Sequence, residues 1–172
     1  MAYALKFAGA ARPREAVAPE AFREAMRELA SGVALATSTF EGRRAGCAVT
    51  SLTSLSLAPA SLLVCLHRDS STLRCIRASG AFAVNILADN HEPLARRFAA
   101  ASAAERFAEG DWGALATGAP VLRDALAAVD CRLERVVEHA THAILIGAAV
   151  AVSSGAAGAA LLHWRSRFET LA

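Results

Sequence analysis

At 172 residues, with 55% hydrophobic and 20% charged residues, the chain has the size and composition of one globular domain, which excludes a disordered polymer. The formal net charge is +2, and the basic residues are scattered arginines with Lys6 the only lysine, so the dense basic block of a nucleic-acid binder is excluded. No segment reaches the ~20 uninterrupted apolar residues of a membrane helix.

The N-terminus shows no continuous apolar stretch of the secretory kind, and the expected location is the cytoplasm. Cys47, Cys65, Cys75 and Cys131 form no C-x-x-C pair and no zinc spacing with histidine, and they read as four reduced thiols.

Residues 1–18, broken by Pro13, read as an N-terminal arm, and 19–172 as a single domain. A helix should start near Pro19, with Phe22, Met26, Leu29 and Ala30 at helical spacing and Ser31-Gly32 at its end. Val33–Thr39 reads as a strand, Glu41-Gly42 as a hairpin turn, and Ala45–Ser51 as the returning strand. The hydroxyl-rich Thr53–Pro59 reads as a turn, followed by a strand over Leu62–His67.

Ser71–Ser79 reads as a short helix, capped by Ser70 or Ser71 and ended by Gly80. A buried strand (Phe82–Leu87), a helix (Glu92–Ala100) and an irregular stretch (Glu105–Leu122) follow. Two long strands, Ala128–Glu138 and His142–Val152, a turn at Gly155–Gly158 and a short strand at Leu161–Trp164 complete the pattern. Strands and helices do not alternate regularly, which argues against a doubly wound sheet. The expected class is mainly β with peripheral helices, as a closed or half-closed antiparallel barrel.

Three places carry candidate chemistry. Ala48, Val49, Thr50 and Ser51 close one strand just before the hydroxyl-rich run that begins at Leu52. Ser70, Ser71 and Thr72 stand at a helix start, where backbone N–H groups and the helix dipole attract phosphate. His142 opens a long strand behind Ala140-Thr141. No Ser-His-Asp set, paired carboxylates or G-x-G-x-x-G motif is present. His67, His91, His139 and His163 read as surface or packing residues, Asn85 as a buried hydrogen-bonded amide, and Trp112 as a loop anchor.

In order and spacing these segments resemble the short-chain flavin reductases, an FMN-binding split β-barrel family with a Greek-key antiparallel barrel. The resemblance covers about Phe22 to Phe168 and is carried by Thr50 to Pro59, Ser70-Ser71-Thr72, Gly80 to Leu87, Arg97-Phe98-Ala99, Gly118 to Leu122, Asp130-Cys131 and His142. It implies hydride transfer from NADH or NADPH to FMN, with FAD second, supplying reduced flavin to a partner monooxygenase. A reductase of another acceptor, such as a corrinoid cobalt, and a non-catalytic flavin-binding protein are the alternatives.

The resemblance also implies a homodimer with the flavin near the subunit interface. Cys47 to Leu52 would run beside the flavin ring and ribityl chain, and Ser70, Ser71 and Thr72 would hold the phosphate. Phe98 and Ala99 would lie at the flavin's other end, and His142 beside the nicotinamide. The sequence reads Ala-Thr-His where the family reads Gly-Asp-His, so a carboxylate that would orient the imidazole is absent. It also reads Arg165-Ser166-Arg167-Phe168 where the family carries Gly-(Arg or Lys)-Tyr.

Overall fold

The computed structural model describes residues 16–103, 105–155 and 158–171. Residues 16–18 of the expected arm are irregular, and the rest of the arm lies outside the described residues. In chain order the elements are α1 (Pro19–Arg27), β1 (Ser31–Gly32), β2 (Ala34–Phe40), β3 (Arg43–Val49), β4 (Leu52–Leu57), β5 (Ala60–His67), α2 (Ser71–Ser79) and β6 (Ala81–Ile86). A 3-10 turn at Asp89–His91 leads into α3 (Glu92–Ala100), then β7 (Trp112–Ala114), β8 (Pro120–Leu122), β9 (Ala127–His139), β10 (His142–Ser154), β11 (Ala160–Trp164) and β12 (Arg167–Leu171).

The main sheet has seven antiparallel strands in the order β3-β2-β6-β9-β10-β5-β4. Its two edge strands, β3 and β4, are consecutive in the chain and joined only by Thr50-Ser51. A link that short cannot cross a flat seven-stranded sheet about 4.8 Å per strand wide, so the sheet must curl until its edges meet. The hydrogen-bond ladder stops short of closure, and the result is a split barrel. Ser51 stitches the split: its Oγ accepts the Cys65 N–H at 3.2 Å and donates to the Cys65 carbonyl at 2.9 Å.

The expected hairpin forms with Glu41 and Gly42 both at positive φ (50° and 74°), the primed geometry that matches strand twist. α2 spans the residues expected, and Gly80 caps it at φ 68°. Leu73 and Ile76 of α2 are wholly buried with Phe82, Val84 and Leu145 in the barrel core. α3 covers a second cluster, in which Leu94, Ala95 and Phe98 pack on Leu35 and Leu87, with Phe107 and Trp112 against its edge. Arg106 ties this loop down by donating to the Gly46 carbonyl at 2.7 Å and the Ala101 carbonyl at 3.1 Å.

Asn85 is the buried amide expected. It donates to the Leu35 carbonyl and to Thr37 Oγ1, both at 3.2 Å, and accepts the Leu122 N–H at 2.8 Å. Trp112 is the loop anchor expected, its indole N–H donating to the Glu109 carbonyl at 2.8 Å.

Four expectations are corrected. Ser31-Gly32 does not end α1, which stops at Arg27; those two residues pair with Leu162 and His163 of β11. Thr53–Pro59 is mostly strand, because Leu52–Leu57 pairs with β5 around a register shift between Ser54 and Ser56 that breaks the apolar alternation. The stretch read as irregular holds the β7–β8 pair. Arg167–Leu171 is a strand paired to β11, closing a three-stranded sheet with β1. Among the described residues nothing covers the apolar side of α1, where Phe22 and Met26 are exposed, as is Leu29 just beyond it.

Candidate functional site

The split between β3 and β5 opens as a cleft of about 400 Å³, lined by Cys47, Ala48, Val49, Thr50, Ser51, Cys65, Leu66, His67, Ser70 and His142. That volume lies within the range of small-molecule sites. Thr50 also lines two adjoining hollows. One, about 190 Å³, is shared with Ala48, Val49, Ala99, His163 and Phe168. The other, about 320 Å³, is shared with Arg23, Met26, Arg27, Leu29, Arg165 and Ser166. Residues far apart in the chain, 47–51, 70, 99 and 142, are thus brought along one groove.

At one side of the cleft stands the N-terminus of α2. Ser70 is the cap: its Oγ accepts the Leu73 N–H at 3.1 Å, which leaves the hydroxyl proton free to donate. Ser71 is half-buried. Thr72 corrects the expectation of three ligand-facing hydroxyls. It is 0% exposed, points into the core beneath the helix, and its Oγ1 makes no hydrogen bond of regular geometry. Helix phase explains this: the second residue of a helix whose third and sixth residues are core sits on the core side.

Cys47 lies next to Thr72. Burial pushes its thiol above the ordinary range, against the pull of the Thr72 hydroxyl and the Arg106 charge, so it presents a neutral surface to the cleft. Phe98 is also corrected. It is 1% exposed and packs edge-on against Phe107 at 5.1 Å, under the groove rather than in it. Phe98 packs closely on β3, where a Cβ at Gly46 would meet its ring at 2.7 Å. Leu52 faces a different hollow, with Leu57, Val84 and Val152.

His142 is exposed at the cleft's far end. Its Nδ1 is 2.9 Å from Thr141 Oγ1, so a hydroxyl holds the ring where a carboxylate was found missing. His67, set aside as a surface residue, lies in the cleft with its ring 5.3 Å from that of His142 at 77°. His163 and Phe168 line the adjoining hollow and were also missed. No local pattern marks His67 or His163, which are found only once strand pairing is known, whereas Phe168 stands where the resembled family carries a tyrosine. Among the described residues no group of three or more His, Cys, Asp or Glu is placed to hold a metal ion.

A split barrel with a hydroxyl-lined seam, a capped helix N-terminus and a histidine at the seam's end defines a cofactor-binding barrel class. The chain belongs to the flavin reductase-like domain family, whose pattern it matches over residues 26–172. It is 45% identical over 158 residues to the FMN reductase (NADH) RutF 2 of Methylorubrum extorquens, covering 91% of this chain and 92% of that protein. Its fold is similar to the NADH:FAD oxidoreductase SgcE6 of Streptomyces globisporus, solved with NAD and FAD fragments (TM-score 0.84, 29% identity, 92% and 97% of the two chains). It is also similar to BorF, the flavin reductase component of a bacterial two-component tryptophan halogenase (TM-score 0.81, 27% identity, 88% and 97%).

Proposed function

We propose that the chain is an NADH-dependent flavin reductase that takes FMN in the seam between β3 and β5 and supplies reduced flavin to a partner oxygenase. The observation that carries this reading is the cleft itself, where Thr50, Ser51, the Ser70 cap and His142 converge although the chain separates them widely. The relatives' FMN and NADH, named for those proteins, favour this pair over FAD and NADPH.

The residues present fit such a cofactor. Ser70 has a free hydroxyl proton and α2 a nine-residue dipole for a phosphate. Thr50 and Ser51 offer polar groups to the ribityl chain, the Ala48-Val49 stretch of β3 lines the cleft beside the ring, and Ala99 lines the groove's end. The buried hydroxyl of Thr72 and the ring of Phe98 support the wall without touching ligand. Bound flavin supplies the hydride-accepting chemistry, so this chain needs no acid–base pair of its own. Its task is to hold two rings together and exclude water, with His142 placing the nicotinamide.

We also infer a homodimer, formed over the apolar surface of β4 and β10. Leu57 is 90% and Val152 62% exposed there, beside an apolar hollow of about 270 Å³ that includes Leu52, Ile86 and Val129. No described helix is long and apolar enough to cross a membrane.

The test is NADH oxidation by purified protein with FMN under air. Consumption above the flavin-only background is expected; none, with either nicotinamide, would overturn the reading.

A further inference from the structure

His67 ends β5, and His142 opens β10. The two are direct partners in the antiparallel register, so their side chains project on the same face at the same level. Their rings meet edge to face at a centroid distance of 5.3 Å, the preferred arrangement of two planar rings. Both line the same cleft.

The His67 ring is itself held. Its Nδ1 accepts the Asp69 N–H at 3.2 Å, which holds the ring at that nitrogen. The Asp69 carboxylate is 4.0 Å from the same nitrogen, and Arg68 lies beside Asp69 at 3.8 Å, so the charges next to His67 are already paired. The turn behind it is pinned as well, since the Arg68 N–H donates to the Thr141 carbonyl at 3.0 Å. On the other side, Thr141 Oγ1 bonds His142 Nδ1. An exposed imidazole held at one nitrogen by its own neighbour can still swing about its side-chain torsions. A second ring packed edge-on removes that freedom.

We propose that His67 is a positioning residue for His142, and that the pair forms the wall that receives the nicotinamide. This rests on the reading of the cleft given above. The chemical class received is a hydride-donating dihydropyridine ring carrying a carboxamide, which needs a fixed donor or acceptor on its edge. His67 contributes the ring edge that fixes His142, and that edge, not the Nδ1 contact, is what the proposal requires.

The test compares His67→Ala, His67→Phe and His67→Asn by steady-state kinetics with NADH and FMN, alongside FMN binding by fluorescence quenching. Phe keeps the ring edge and loses the Nδ1 acceptor; Asn keeps an acceptor for the Asp69 N–H and loses the ring. The expected result is a rise of about threefold to tenfold in KM for NADH in the Ala and Asn variants, the size carried by one edge-to-face contact. Near-normal KM is expected in the Phe variant, with kcat and FMN affinity within about twofold of wild type in all three.

An unchanged KM in the Ala variant, or a Phe variant as impaired as Ala, overturns the proposal. A fall in FMN affinity equal to the change in KM also overturns it, because a general loosening of the cleft would then explain both. A wild-type protein that oxidises no NADH refutes the reading of the site, and this inference falls with it; normal wild-type turnover with an unchanged variant KM refutes this inference alone.

Discussion

Replacing Ser70 by Ala separates two jobs of one hydroxyl. As the cap of α2, Ser70 Oγ accepts the Leu73 N–H at 3.1 Å, and loss of such a cap costs about 1 kcal/mol. In a domain of this size that lowers the melting temperature by about 2–4 °C. As a cleft residue, Ser70 has its hydroxyl proton free for a phosphate oxygen, and a hydrogen bond to a charged group contributes about 1.5–3 kcal/mol. The variant should therefore bind FMN about tenfold to hundredfold more weakly while binding riboflavin, which has no phosphate, within about twofold of wild type.

The assay is fluorescence quenching of both flavins at one temperature well below unfolding, with a thermal melt of each protein. Equal weakening toward FMN and riboflavin would refute the phosphate assignment and leave Ser70 a cap alone. An unchanged melt would refute the capping argument.

Other substitutions probe the surroundings. Thr72→Val removes a buried hydroxyl that has no regular partner, so stability should be unchanged or rise by up to about 1 kcal/mol and FMN affinity should not move; a tenfold loss of FMN binding would return Thr72 to the ligand. Ala140 sits at φ 48° in the turn before His142, and Ala140→Gly should stabilise by about 0.5–1 kcal/mol in a urea melt, whereas destabilisation would show that the turn does not strain alanine. Burial, and then the Asp130 charge, push the Cys131 thiol up to about 12. An unfolded thiol ionises near pH 8.5–9, so the unfolded state loses its proton first and stability should fall as pH rises from about 9 toward 12, and not below that window. The gap between wild-type and Cys131→Ala urea midpoints should narrow across that range; a constant gap would refute it.

Much of the barrel was legible because its signals are local. Ser70 and Gly80 bracket α2, the Leu94/Ala95/Phe98 spacing marks α3, and Glu41-Gly42 marks the hairpin. β4 was missed because the bulge near Ser54 puts its leucines out of alternation, and β1 because two residues carry no period at all. The cleft was half legible. The segment at 47–51, Ser70 and His142 were marked by composition and resemblance. Thr72 and Phe98 were implied by the resemblance, while helix phase sends both to the core. His67 was invisible because its meaning depends on the β5–β10 register, a contact across 75 residues that no local spacing encodes. The resemblance had also pointed to a family glycine where Ala140 stands, and the positive φ there supplies the physical reason.

The unclosed seam bears on motion as well as on binding. Among the described residues β3 pairs with β2 alone, so one row of its backbone amides has no strand to accept from it. Such amides exchange with solvent through small local openings, far below the cost of unfolding the sheet. A molecule seated between β3 and β5 would take the place of the missing ladder. Amide exchange at Cys47 to Val49 should then slow on ligand binding while the β9–β10 hairpin stays as it was, making the seam the part of the barrel whose rigidity depends on its cargo.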